Sequence, residues 1–320
     1  MSFSLQKFRG ALLGLALGDA MGAPLEGGPL ERLVWRLLGL GQRDRLRWTD
    51  DTQMSLDLGE SLVADRGLQP EALAQRFAAS YRWTRGYGPG AAKLLKRIRR
   101  GQPWQDANVA IYPNGSFGNG GAMRAPVVGL AYVRDLKRVP QAAADSAQIT
   151  HAHPLGMEGA VLIALATAHA LRDTPGEAAL AQLKRACTQP AMVEPLTQAQ
   201  LWLAEQSEPE PDEVAATLGH GIIAAESCVT AVYLAHRHMH APFETLQAFV
   251  HACGGDVDTI GAMAGAIWGA ARGAEHLDEA KLARLEDRAR IDSLAEQLHE
   301  LAHASPAFYS AAAHRPESAQ

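Results

Sequence analysis

The chain contains 320 residues, enough for one large single-core domain or two ordinary ones. Apolar residues make up 47% of the chain but aromatic residues only 6%, so we expect a globular protein with a core mainly of Ala, Leu, Val and Ile. The net charge of −5, with Lys and Arg spread along the chain, argues against a nucleic-acid partner, because nucleic-acid-binding surfaces are normally basic.

The cellular compartment is predicted from the cysteines and the apolar segments. Cys187, Cys228 and Cys253 lie far apart and lack CxxC spacing, which is typical of reduced core thiols. A signal peptide is disfavoured because the N-terminal apolar run is short and Asp19 follows it directly. No stretch approaches the roughly 20 apolar residues that a membrane span needs. We therefore expect a cytoplasmic protein without a membrane partner.

Helical periodicity dominates the chain, because apolar residues recur at three- and four-residue steps in most segments. The segments with this spacing are residues 8–21, 53–64, 71–82, 155–171, 194–204, 221–236, 242–252, 259–272 and 290–302. Alternation typical of strands is nearly absent, and its best candidate is the short run "VAIY" at 109–112. We predict an all-α protein with a single domain over residues 1–305 and a C-terminal tail over residues 306–320.

Glycines recur at every fourth position in two apolar helices. They occupy positions 10, 14, 18 and 22 in the first helix and positions 261, 265, 269 and 273 in the second. An interior glycine costs roughly 1 kcal/mol relative to alanine, and a four-residue step places these glycines on one ridge. Coincidence in a chain with 30 glycines is the alternative. We predict close packing, and if the helices pair, residues after 22 lie near residues before 261.

Two acid-rich segments occur where helices are predicted to begin. They are "WTDDTQMSL" (48–56) and "GGDVDTIG" (254–261), and their candidate ligands are Thr49, Asp50, Asp51, Asp256, Asp258 and Thr259. Either segment alone could be a helix cap, but two acids exceed what one cap needs. If the segments meet, their carboxylates repel unless cations neutralise them. Oxygen ligands suit Mg²⁺ or Mn²⁺, and two such ions could activate water.

Two further segments are candidates for binding. The glycine-rich "NGSFGNGGAMRAP" (114–126) could turn backbone N–H groups towards an anion, and Arg124 could assist or pair with an acid. It lacks the G-x-G-x-x-G order of a dinucleotide-binding loop and could also be a simple turn. In "ITHAHPLG" (149–156), His151 or His153 could be a base, a ligand or structural. "HRHMH" (236–240) has metal-like spacing but fits the solvated end of a helix better.

Taken together and in this order, these segments resemble the ADP-ribosylglycohydrolase family, which includes the bacterial dinitrogenase reductase-activating glycohydrolase. The matching segments are "GALLGLALGDAMGAPLE" (10–26), "WTDDTQMSL" (48–56), "GSFGNGGAMR" (115–124), "ITHAHPLG" (149–156) and "GGDVDTIGAMAGAIWGA" (254–270). The resemblance covers nearly the whole chain. It implies a compact globule of orthogonal helices with a binuclear Mg²⁺ or Mn²⁺ centre.

The resemblance also implies roles for single residues. Metal ligands would be Thr49, Asp50, Asp51, Asp256, Asp258 and Thr259, and the catalytic residues would be Glu26, Asp50 and Asp258. The residues that would bind ADP-ribose are Gly115, Ser116, Phe117, Gly118, Asn119 and His151. Without the resemblance, Glu26 would be an ordinary loop residue.

The activity implied is metal-dependent hydrolysis of an ADP-ribosyl bond, for which we favour ADP-ribosyl-arginine on a protein, with ADP-ribose as the product. Serine- or O-acetyl-linked ADP-ribose is the alternative, because residues 85–93 ("RGYGPGAAK") lack an acid that the arginine-specific bacterial enzyme carries. A two-metal phosphohydrolase would also use acids, but with more histidines. A crystallin-like or ADP-ribose-binding protein without activity is disfavoured, because all six ligand positions hold oxygen-bearing residues.

Overall fold

The computed structural model describes residues 3–38 and 44–304, so the predicted tail over 306–320 lies outside the described residues. Within these ranges the chain is helical, with two isolated β-bridges and no strand. This confirms the all-α prediction. The helices are α1 (Leu5–Gly22), α2 (Pro29–Leu38), α3 (Asp50–Ala64), α4 (Pro70–Ser80), α5 (Pro89–Arg99), α6 (Trp104–Ile111), α7 (Pro126–Ala131), α8 (Val139–Gln148), α9 (Pro154–Leu171), α10 (Gly176–Ala186), α11 (Pro190–Ala204), α12 (Pro211–Leu218), α13 (Ala224–Arg237), α14 (Phe243–Cys253), α15 (Val257–Arg272), α16 (Glu279–Leu282) and α17 (Arg288–His303).

The centre of the protein is formed by α1, α9, α13 and α15. Most residues of these four helices are buried, so each is apolar around most of its circumference rather than along one stripe. Helix α15 packs against the other three and against α14, while α17 packs on α1 and α3. The central pair α1 and α15 therefore carries the helices whose ends form the site described below.

The two glycine helices pack on each other, antiparallel and at very short range. A Cβ added at Gly14 would overlap the carbonyl of Gly265, and one added at Gly265 would overlap the carbonyl of Gly14. Gly10 meets Gly269 in the same way, so the two ridges of small residues lie directly against each other. The predicted pairing is confirmed. Its consequence is that the end of α1 lies at the start of α15, where a Cβ on Gly22 would overlap the backbone of Asp258.

Two segments differ in detail from their interpretation in the sequence. Residues 109–111 of the weak strand candidate "VAIY" belong to α6, which the side-chain amide of Asn108 anchors by donating to the carbonyls of Gln148 (2.7 Å) and Ile149 (3.0 Å). The "HRHMH" segment forms the end of α13 and the turn after it, as expected, but His238 is buried against Phe249 rather than solvated. A buried ring there is possible because the chain turns back into α14.

By length and composition alone, one helix among the described residues, α9, could cross a membrane, although no such segment was predicted. In the structure 67% of its 18 residues are buried inside the protein, against α7, α8, α13 and α15. A buried core helix passes the same test of hydropathy. The apolar character of α9 is accounted for by this packing.

The close approach of α1 and α15 predicts the effect of one methyl group. We expect Gly265→Ala to lower the free energy of unfolding by about 1–3 kcal/mol or more, because its Cβ has no space beside the backbone of α1. Gly176→Ala is the matched control, since a Cβ at the start of α10 makes only an ordinary contact of 3.6 Å with the ring of His236. Urea denaturation measures both. Equal midpoints for Gly265→Ala and the wild-type protein would contradict the proposed constraint.

Candidate functional site

The two acid-rich segments meet where α3 and α15 begin. The Thr259 hydroxyl donates a hydrogen bond of 3.3 Å to Oδ1 of Asp51, although 208 positions separate these residues. Asp51, Asp256 and Asp258 are all buried at this junction, and Asp50 is half-buried beside them. The acids sit at the amino ends of two helices, where the backbone favours negative charge. The glycine packing of α1 on α15 brings them together.

A further carboxylate, Asp19, belongs to the same cluster and was missed as a candidate from the sequence. It is fully buried in α1 and accepts hydrogen bonds from the amides of Thr49 (2.9 Å) and Thr52 (3.0 Å) and from the Thr52 hydroxyl (2.6 Å). Asp19 therefore caps α3 from another helix, while the Thr49 hydroxyl caps it locally by accepting from the amide of Asp51. The available signal was a single acid in the apolar part of α1, after Lys7 and Arg9 at its start.

The acids form two groups that could each hold a cation. Carboxylate oxygens of Asp19, Asp51 and Asp258 lie within 4.8 Å of one another, as do those of Glu26, Asp256 and Asp258. Asp258 is common to both groups. Oδ2 of Asp51 is buried and has no hydrogen-bond partner, a costly arrangement for a carboxylate unless a cation binds it. The residues present therefore fit a hard metal ion held by oxygen ligands.

Three of the predicted ligands lie outside the two close groups of carboxylates: Thr49, Asp50 and Thr259. Asp50 lines the same pocket but belongs to neither close group of oxygens. The two threonine hydroxyls lie on either side of Asp51, one accepting from its amide and one donating to its carboxylate. Their roles as metal ligands stay predictions.

Burial raises the pKa values of these carboxyl groups. The pKa values of Asp50, Asp51 and Asp258 lie well above the usual range, first because of desolvation and then because of the neighbouring acids. Burial also raises the pKa of Asp19 to about 6, although its hydrogen bonds from Thr52 oppose the shift. Without cations, therefore, the cluster resists full ionisation, and folding places like charges together at neutral pH.

The cluster forms the floor of a pocket of about 230 Å³. The opposite wall consists of the glycine-rich loop, residues near His151 and the segment after the 3₁₀ turn Trp83–Arg85. Residues of this wall are Gly86, Gly88, Pro89, Gly90, Tyr112, Ser116, Gly118, Asn119, Gly120, Thr150, His151 and Ile222. Ser116, Gly118, Asn119 and His151 thus share one pocket with the acids, as the resemblance implies.

The glycine-rich loop is fixed by hydrogen bonds that reduce its capacity to bind an anion. The amide of Asn119 donates to the carbonyl of Ile222 (2.9 Å), and the amide of Gly118 donates to the Ser116 hydroxyl (3.3 Å). The amide of Gly115 donates to the carbonyl of Tyr112 (2.8 Å). Three amides expected to face a ligand are therefore already used within the protein.

Asn119 also has a direct link to the acids. Its side-chain amide donates to Oδ2 of Asp256 (2.5 Å) and to the hydroxyl of Ser227 (3.0 Å). It thereby holds one carboxylate of the cluster in place, a function that the sequence motif did not indicate. Gly115 lies behind the loop, where an added Cβ would overlap the backbone of His153, and Phe117 is exposed with its ring edge-on to that histidine at 5.8 Å.

His151 and Arg124 support the loop from beneath. The side chain of Arg124 is fully buried and donates to the carbonyl of Gly120, to the carbonyl of Ser146 and to the Thr150 hydroxyl. It is thus bonded to neutral groups, not to a cluster acid. Burial and Arg124 lower the pKa of His151 to about 3, so its ring is neutral at pH 7. A neutral ring can accept or donate a hydrogen bond at the pocket wall.

The raised pKa values predict how a single neutral substitution acts on the metal-free protein. A folded-state pKa above the unfolded value of 3.8 means that folding binds protons, so the wild-type protein loses stability as pH rises above about 4. Asp51→Asn removes one such group. We expect the free energy of unfolding of this variant, relative to wild type in EDTA, to increase between pH 5 and pH 8 by ~1 kcal/mol or more.

Urea denaturation at the two pH values measures this difference, and the buried histidines cancel because both proteins contain them. Asp106→Asn on α6 is the control, because that carboxylate is exposed and lies outside the cluster. We also expect Mg²⁺ or Mn²⁺ to raise the melting temperature of wild type but not of Asp51→Asn. A relative stability of Asp51→Asn that falls between pH 5 and pH 8 would contradict the repulsion.

Comparison with known proteins assigns this geometry to a family. The sequence model of the ADP-ribosylglycohydrolase family matches residues 2–307. ADP-ribosylhydrolase ARH3 of Homo sapiens is 33% identical, with 92% of this chain and 93% of that protein covered, and the Bos taurus protein is 34% identical with the same coverage. A solved structure described as an ADP-ribosylglycohydrolase-related protein complex has a TM-score of 0.71 and 27% identity, covering 93% of this chain and 98% of that one. The chain therefore belongs to the ADP-ribosylglycohydrolase family and is a hydrolase of glycosidic bonds to ADP-ribose.

Proposed function

We propose that this protein releases ADP-ribose from an O-linked adduct, using a pair of Mg²⁺ or Mn²⁺ ions held by the two acid-rich segments. The observation that carries the proposal is the contact between Thr259 and Asp51 at the floor of the pocket, beside the buried Oδ2 of Asp51 that lacks a partner. Both close groups of possible ligands in the described part of the chain contain carboxylates only. A phosphohydrolase centre with several histidine ligands is therefore not favoured.

The acids would hold the metals in two groups that share Asp258. When bound, such ions offset the carboxylate charge, fix the neighbouring hydroxyls of the ribose and lower the pKa of water beside the anomeric carbon. Asp19 keeps the start of α3 in place through Thr49 and Thr52, and Asn119 keeps Asp256 in place. These hydrogen bonds orient the ligands before substrate arrives, as a preorganised site requires.

Glu26 is the candidate for proton transfer. It follows the end of α1, is close enough to Asp256 and Asp258 for its carboxylate to join their group, and lies at the edge of the pocket. A carboxyl group there can give a proton to the oxygen that leaves the ribose, or take one from the attacking water. Asp50 and Asp258 would support the same step from the floor of the pocket.

The opposite wall is the candidate binding surface for the rest of ADP-ribose. Ser116, Gly118 and the neutral ring of His151 offer hydrogen-bonding groups there, and Phe117 is exposed at its edge. The amides already used within the glycine-rich loop support binding by side chains and by the remaining backbone groups rather than by a full ring of amides. ADP-ribose would then extend from the acids across this loop.

The linkage is inferred from charge at the mouth of the pocket. Residues 85–93 line it with Gly86, Gly88, Pro89 and Gly90 and contribute no carboxylate. A guanidinium cation would find no carboxylate in this segment to pair with, whereas a serine or acyl oxygen is neutral and needs none. We therefore place an O-linked adduct ahead of the ADP-ribosyl-arginine that the sequence motifs favoured.

A panel of defined substrates tests the linkage. We expect ADP-ribosyl-serine peptides and O-acetyl-ADP-ribose to release ADP-ribose with Mg²⁺ or Mn²⁺ and not with EDTA. An ADP-ribosyl-arginine peptide should react at least about tenfold more slowly, because residues 85–93 offer its guanidinium no carboxylate. Chromatographic quantification of ADP-ribose measures all three. Preference for the arginine peptide would overturn the assignment of the linkage, and release of phosphate alone would overturn the proposed reaction.

Removal of a cluster acid tests the centre itself. We expect Asp50→Ala to lower the rate by more than about a hundredfold, because charge stabilisation at a metal centre is worth several kcal/mol. Its helical circular-dichroism spectrum should stay that of wild type. Asp106→Ala, which removes an exposed carboxylate on α6, should keep full activity. Retained activity of purified Asp50→Ala at limiting Mg²⁺ would count heavily against the centre.

A further inference from the structure

A second pocket opens beside the acid pocket. It measures about 400 Å³, within the range of ligand-binding pockets, and lies between α2 and the 3₁₀ turn Trp83–Arg85. Glu26 and Gly86 line both pockets, so the two are continuous at that point. The remaining wall of the second pocket is mostly apolar and includes Leu30, Val34 and Trp83.

The helix α2 turns an apolar face to solvent at this place. Leu30, Leu33, Val34 and Leu37 follow the spacing of a single helix face and are 68%, 49%, 42% and 54% exposed. Across the pocket, the ring of Trp83 is 70% exposed. A continuous apolar surface of this kind, next to an active site, is typical of a surface that binds a partner or substrate.

Side-chain contacts connect the two elements that carry this surface to the rest of the protein. The Arg47 guanidinium lies 4.6 Å from the centre of the Trp35 ring and thereby connects α2 to the body of the protein. Arg85 forms a two-pronged ion pair with Glu286 (2.8 Å for each bond) and lies 3.5 Å from the centre of the Trp48 ring, which fixes the turn that carries Trp83. The side of the pocket that carries Trp83 is therefore fixed before a ligand binds, which reduces the entropy lost on binding.

The direction of the substrate identifies the occupant. If the ADP part lies across the glycine-rich loop, as the proposed function requires, the bond to be cut points to the other side, towards Glu26 and Gly86. The group that carries the ADP-ribose must then pass into the second pocket. A small acyl group would leave this pocket nearly empty, whereas a polypeptide would fill it with the side chains beside the modified residue.

We infer that the pocket between α2 and Trp83–Arg85 binds the polypeptide of an ADP-ribosylated protein and takes an apolar side chain adjacent to the modified residue. The inference rests on the proposed function and names its substrate class. Leu30 and Trp83 then determine specificity for protein substrates without touching the bond that is cut.

Two substrates separate this pocket from the acid centre. One is a peptide with ADP-ribosyl-serine next to leucine, and the other is O-acetyl-ADP-ribose, which has no polypeptide. For Leu30→Ser and Trp83→Ala we expect kcat/KM on the peptide to fall about tenfold, mainly through KM, because burial of a large apolar side chain is lost. On O-acetyl-ADP-ribose both variants should stay within about twofold of wild type.

Controls keep the result interpretable. Leu201→Ser removes an exposed leucine from α11, remote in sequence from the pocket, and should leave both substrates unaffected. A second peptide with glycine in place of leucine should react with wild type as poorly as the leucine peptide reacts with Leu30→Ser. Leu30→Ser and Trp83→Ala lie in different elements, and their activity on O-acetyl-ADP-ribose reports whether each variant is folded.

Each outcome has one meaning. Equal losses on both substrates, or no loss on the peptide, would overturn the inference and leave the proposed function standing. If the wild-type protein hydrolyses O-acetyl-ADP-ribose but neither peptide, the inference is likewise overturned and the proposed function stands. Dissociation of a dimer by Leu30→Ser, with peptide kinetics unchanged, would reassign the face to a second copy of the chain. Failure of wild type on every ADP-ribose substrate would instead overturn the proposed function, and the inference with it.

Discussion

The backbone contact between α1 and α15 is the constraint on which the site depends. The glycines at 10, 14, 18 and 22 lie directly against those of α15 or its first turn, and this fixes the axial register of the two helices. In this register Asp19 contacts the start of α3, and the loop after Gly22 brings Glu26 to Asp258. A larger residue on either ridge would separate the helices and move carboxylates that must stay within a few ångströms of one another.

The resulting cluster of carboxylates lowers the stability of the protein when no cation is bound. Several carboxylates are buried together at helix starts, and desolvation raises their pKa values before any mutual repulsion is counted. Hydrogen bonds offset part of this cost: Asp19 satisfies amides of α3, and Asn119 donates to Asp256. Oδ2 of Asp51 has no hydrogen-bond partner, so no hydrogen bond offsets the cost of burying that atom. In the proposed metal centre, cation binding and stability are therefore connected, as is common where function requires groups that destabilise the fold.

Much of the fold could be read from the sequence, because the long helices have clear apolar periodicity and the two glycine ridges matched in spacing. The acid-rich segments were found as well, since two acids beside a threonine exceed the needs of a cap. Asp19 was missed because its partners, the amides of Thr49 and Thr52, are distant in the chain and carry no side-chain pattern. The part of Asn119 in holding Asp256 was missed for the same reason. Helix α6 was not among the predicted helical segments, because it is short and contains the β-branched Val109 and Ile111, while its anchor Asn108 acts through tertiary contacts.

The pairing of α1 with α15 also has a consequence for biosynthesis. The end of α1 and the start of α15 are separated by about 230 residues, from Gly22 to Val257. At typical translation rates, the first helix leaves the ribosome roughly 10 to 50 seconds before its partner exists. During that interval a strongly apolar segment with glycines on its contact face has no native surface to cover it. The nascent α1 should therefore depend on chaperones, and its native cover should be completed only when α15 and then α17 are synthesised.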